Sequence, residues 1–146
     1  EVLDPEHSGI NLFDNNWKIY SRNSGMTGHK ISASADVHDS MITDGCRIRG
    51  TVKHSVLFAG VKVAEGAVVE DAVVMGGTTI ERGAVVRHCI IAENVTIKEN
   101  AVVGAMPEGD EHGVATVGSG ITIGEGAVIG PKAMVRNNVE GGEEQW

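Results

Sequence analysis

Aromatic residues make up only 3% of this 146-residue chain. A globular core of ordinary thickness draws much of its buried area from rings, so their scarcity points to an interior too narrow to hold them. Three of the few present, Phe13, Trp17 and Tyr20, stand before residue 28 and set that region apart. Cysteine is equally sparse. Cys46 and Cys89 cannot supply a disulfide framework and are read as free thiols of a reducing, cytoplasmic setting. No stretch approaches the roughly 18 apolar residues of a membrane-spanning helix, and no leader with a charged start and an apolar centre opens the chain. The net charge of -8 argues against nucleic acid and anionic membrane as partners. The length suits one domain, and the absence of an initial methionine reads as a piece cut from a longer protein.

Glycine is abundant, 20 residues of 146, and it falls in a pattern. The stretch from Val63 to Gly109 nearly repeats itself every 17 residues, matching Val63 with Ile80 and Ile97, Val69 with Val86 and Val103, and Val74 with Ile91. Ile48 with Val52, and Ile31 with Val37, extend the register backward. Val117, Ile123, Ile129 and Val135 extend it forward at six-residue steps. A helix would need apolar residues at i, i+3, i+4 and i+7. Here the apolar runs are short and β-branched, and Gly66, Gly83, Asn100, Gly120 and Gly126 punctuate them with residues that tolerate positive φ. Each hexad is a short strand plus a corner, and three close one triangular coil. Coils then stack as parallel strands about 4.8 Å apart, with small residues Ala67, Ala84, Ala101 and Ala127 clearing the corner two places before each inward aliphatic.

Hexads of this kind resemble the repeat of left-handed parallel β-helices, and the resemblance, not the spacing, supplies the hand. The expected organisation is all-β: an interdomain linker and lead-in strand over 1–28, a left-handed β-helix over 29–136 and an acidic tail over 137–146.

A narrower resemblance rests on "NLFDNNWKIYSRN" (Asn11 to Asn23), "SVLFAGVKV" (Ser55 to Val63) and "ERGAVVRHCIIAENVTI" (Glu81 to Ile97). Together these are similar to the C-terminal β-helix domain of bacterial glucose-1-phosphate adenylyltransferase. That resemblance implies a parent that makes ADP-glucose from ATP and glucose 1-phosphate for glycogen biosynthesis, using magnesium with ATP. Its chemistry belongs to an N-terminal nucleotidyltransferase domain. No glycine- and arginine-rich phosphate loop occurs in these residues, so no catalytic residue, cofactor or metal site is expected in them and the segment alone should be non-catalytic. The resemblance further implies oligomerisation, tetrameric in the family, and regulation by anionic sugar phosphates. Arg47, Lys62, Arg82, Arg87 and His88 are the effector-binding candidates, and Phe13, Trp17 and Tyr20 the interdomain ones. After "CII" this chain has Ala92, Glu93 and Asn94 where some members carry arginine, and its tail is acidic where theirs is basic. A non-catalytic regulatory subunit of the same family fits these residues too.

A second class is a hexapeptide acyltransferase, which would use a histidine as general base and bind coenzyme A between prisms. His112, in the inserted stretch from Gly104 to Thr116, is its best candidate, against the plainer reading of a solvated acidic loop. Asp39, His54, Asp71 and His88 fall in one column on successive coils. One strand spacing between neighbours is too wide for easy sharing of zinc, so a polar ladder at a corner is the reading preferred to a metal site.

Overall fold

The computed structural model describes residues 3–4, 7, 9, 11–12, 14–20, 23–109 and 113–146. Among the described residues every ladder is parallel and each rung follows the repeat in the sequence. Lys30–Ile31, Arg47–Ile48, Lys62–Val63, Thr79–Ile80, Thr96–Ile97 and Thr122–Ile123 stack into a six-stranded sheet that forms the first face of a prism. The second face runs through Asp36–His38, Thr51–Lys53, the first half of Val68–Val74, the first half of Val85–Ile91, Val102–Val103 and Val128–Ile129. The third takes the second halves of those two long strands together with Met41–Ile42, Val56–Leu57, Ala115–Val117 and Met134–Val135.

Alternation along each short strand sends one residue in and the next out. The inward residues are the heads read from the sequence: Ile48, Val63, Ile80, Ile97 and Ile123 on the first face, Val52, Val69, Val86, Val103 and Ile129 on the second, and Leu57, Val74 and Ile91 on the third, all essentially inaccessible. Burying each aliphatic side chain stabilises the fold by roughly 1.5–3 kcal/mol. Ala67, Ala84, Ala101 and Ala127 are buried at the corners, as their size requires. Among the described residues two polar ones also lie inside, and both are satisfied. Ser55 Oγ donates to the Lys53 carbonyl (2.6 Å) and accepts from the Ala72 amide on the next coil (3.1 Å). Thr78 Oγ1 donates to the Ala92 carbonyl (3.0 Å) and accepts from the Val95 amide (3.3 Å).

Corners use positive φ, and not only at glycine. Gly83 (φ 69°) and Asn100 (φ 56°) occupy the same corner on successive coils, the Asn100 side chain filling the space a Cβ on Gly83 would need. Asp39, His54, Asp71 and His88 take φ of 42°, 43°, 50° and 44°, a conformation that the sequence pattern had assigned to glycine and asparagine alone.

The lead-in differs from its expected form. Among the described residues no strand precedes Lys30, so the segment around Trp17 is not a strand of the stack. Trp17, Ile19 and Tyr20 are exposed, Tyr20 to 85%, while Phe13 lies outside the described residues. At the other end the stack continues past residue 136. Val139 is buried and bridges to Ile123, and Glu144–Gln145 pairs with Val128–Ile129, so the acidic stretch contributes to a further coil.

Candidate functional site

Two places on this prism gather side chains able to bind. The first is the outward side of the first face. There Lys30, Arg47 and Lys62 align in register on adjacent strands, and Arg49 follows two residues after Arg47. A groove of about 410 Å³ is lined by Arg47, Arg49, Lys62 and Arg82, with Glu81 and Glu99 beside them. Among the described residues none of these four cations is in an ion pair, whereas Glu81 is taken by Lys98 (3.0 Å). Four exposed cations without carboxylate partners create a positive field on a chain of net charge -8 and present donors suited to phosphate or carboxylate oxygens.

The expected effector set therefore divides. Arg47, Lys62 and Arg82 meet in this groove. Arg87 projects from the second face and pairs with Glu70 on the coil below (3.2 Å). His88 sits at the corner beyond it, bonded to Asp71. Lining up the hexads reveals the Arg47 and Lys62 alignment directly. Arg49 escaped notice because it belongs to a column of mixed residues, Ser32, Ala64, Glu81 and Lys98, with no chemical theme.

The second place is that corner. Asp71 accepts from His54 Nδ1 at one oxygen (3.1 Å) and from His88 Nδ1 at the other (2.5 Å). Partial burial of Asp71 pushes its carboxyl up, but the hydrogen bonds from His88 and His54, and the charge these rings carry when protonated, outweigh this and hold it below the ordinary carboxylate value. Cys89 is buried next to it, and desolvation together with the charge of Asp71 pushes its thiol up to about 12, so at neutral pH it stays protonated. Cys46 is raised as well, by burial. The expected polar ladder is real in its last three members, His54, Asp71 and His88, and among the described residues no group of three or more acidic, histidine or cysteine side chains is arranged to hold a metal ion. His112 lies outside the described residues. No described helix is long and apolar enough to cross a membrane.

Residues 25–124 match the family model described as GlmU-like, C-terminal hexapeptide. The glucose-1-phosphate adenylyltransferase of Geobacillus stearothermophilus is 46% identical over 70 residues, covering 48% of this chain and 18% of the relative. That of Bacillus mycoides (strain KBAB4) is 48% identical over 67 residues, covering 46% of this chain and 18% of the relative. The chain thus spans under a fifth of the length of these curated relatives, and the resemblance read from its motifs is to proteins of that name. Among solved structures, PerB from Caulobacter crescentus in complex with CoA and GDP-perosamine superimposes with a TM-score of 0.53 at 19% identity, covering 80% of this chain and 52% of that one, a likeness of fold alone. The strands, their parallel register and the aliphatic interior agree with the left-handed β-helix expected of the hexads, and with two thirds of its residues inside the matching family model the chain belongs to the GlmU-like, C-terminal hexapeptide family.

Proposed function

We propose that this β-helix is the oligomerisation and regulatory domain of a glucose-1-phosphate adenylyltransferase whose catalytic, magnesium- and ATP-using part lies in a separate nucleotidyltransferase domain, and that it works in the cytoplasm. The identity of 46–48% to enzymes of that name carries the reading. Such identity extends well beyond what the hexad pattern alone requires, because outward residues are free to vary in a solenoid. The regulatory half of the proposal draws on the groove: Arg47, Lys62 and Arg82, joined by Arg49, offer an anion such as a sugar phosphate several donors at once. Trp17 and Tyr20, exposed on the lead-in, would meet the catalytic domain, and Phe13 would share that role.

The test is activity of the full-length protein against that of these 146 residues. The longer polypeptide should form ADP-glucose and pyrophosphate from ATP and glucose 1-phosphate. The isolated segment should not, and it should bind neither ATP nor acetyl coenzyme A tightly. Tight, saturable acetyl coenzyme A binding by the segment would move it to the acyltransferase class.

A further inference from the structure

Within the corner column one atom is left over. His88 Nε2 is buried and, among the described residues, is the side-chain nitrogen or oxygen in that condition without a hydrogen-bond partner. Buried polar atoms are nearly always paired, so one that is not marks a place where a partner is missing. Asp71 decides what kind of partner. An ionised carboxylate has no proton to give, so its bonds to both Nδ1 atoms put a ring proton on each, and in the neutral imidazole that leaves the lone pair on Nε2. In that form His88 presents an acceptor.

Nε2 itself is closed off from solvent, but space lies beside its ring. A cavity of about 240 Å³ adjoins the two histidines and Asp71 and is walled by Leu3 of the lead-in, Val56, Val73, Ile90 and Val114. The regular stacking is also interrupted at this corner. Val86 pairs with Val103 and Cys89 with Ala115, so in the sequence residues 104–114 stand where the coil below has only Arg87 and His88. Val114, at the end of that stretch and 41% exposed, is a wall with room to yield. The Asp71 carboxylate makes the place inhospitable to anions.

We propose that this cavity is a binding site for a small neutral or cationic hydrogen-bond donor, an alcohol or primary amine on an apolar body, whose O–H or N–H bonds to His88 Nε2. The site is separate from the cationic groove, takes the opposite class of ligand and stands whether or not the regulatory reading does. No group transfer is involved.

Three probes sharing one apolar body separate the possibilities: cyclohexanol, cyclohexylamine and cyclohexanecarboxylate, titrated into the ¹⁵N-labelled 146-residue chain while the His88 ring nitrogens are followed by NMR. The alcohol and the amine should shift His88 Nε2 saturably, with Kd at least tenfold lower than the carboxylate. His88→Phe, which keeps a ring and removes the nitrogen, should weaken them at least tenfold. Asp71→Asn, which leaves His88 in place but releases its tautomer, should weaken them also, and it decides the matter with the wild-type titration if His88→Phe does not fold. Equal or tighter binding of the carboxylate, undiminished affinity in either variant, or no saturable shift at millimolar probe overturns the proposal.

Discussion

Val86 and Arg87 are neighbours in sequence and opposites in environment. Val86 is wholly buried at the head of its hexad, whereas Arg87 projects outward to Glu70 across one rung. Val86→Asp should cost about 3 kcal/mol or more, because it buries a carboxylate with no partner. Arg87→Asp should cost about 1 kcal/mol or less, since a half-exposed ion pair contributes little. Urea midpoints measured side by side check both, and equal losses would refute the inward and outward assignment. Asp71 gives a pH-dependent counterpart. Its carboxyl is held below the value it has in the unfolded chain, 3.8. Between its folded and unfolded values the unfolded state binds more protons, so stability rises with pH across that window. The contribution is complete above about pH 4–5 and lost as pH falls through the lower, folded value. Asp71→Asn should flatten this part of the stability curve, and an unchanged slope in acid denaturation would show that the two histidine bonds do not form in solution.

At the scale of the element, the inward columns were legible in the sequence because a period of six repeated through 17-residue blocks leaves few alternatives. Glycine and asparagine at the corners were legible for the same reason. The corners at Asp39, His54, Asp71 and His88 were not. Aspartate and histidine enter positive φ less readily than glycine, and what holds them there is cooperation between rungs: Ser40 Oγ accepts from the Ser55 amide (3.1 Å), Ser55 Oγ accepts from the Ala72 amide (3.1 Å), and the side chains of His54, Asp71 and His88 bond to one another. The separation of Arg82 from Arg87 was hidden as well, because five residues along this chain turn a corner and change face. Gly104 shows how tightly an element can depend on one atom. Its φ is 73°, and a Cβ there would run into the Arg87 carbonyl. Gly104→Ala should lower stability by about 1–3 kcal/mol, seen as a drop in melting temperature, while Ala105→Gly one residue on should change it far less.

For the whole molecule, coils touch only their neighbours, so stability is close to a sum over coils and the interfaces between them. What the domain does for a parent enzyme then depends on surfaces the stack leaves free. Trp17→Ala in the full-length protein should leave the affinities for ATP and glucose 1-phosphate intact and reduce oligomer stability or the response to sugar phosphates, because an effector acts only through states whose contacts differ. Steady-state kinetics beside sedimentation would read both, and no change in either would leave the segment as a simple cover. The inserted stretch between Gly104 and Ala115 has a wider meaning. The rungs on either side of it keep their pairing, Val86 with Val103 and Ile91 with Val117, although the sequence between them is longer than in the coil below. A prism corner is therefore a port: chain can be spliced in or cut out there without shifting any later rung, and a peptide grafted at another corner would be displayed at a height along the axis set by the number of coils beneath it.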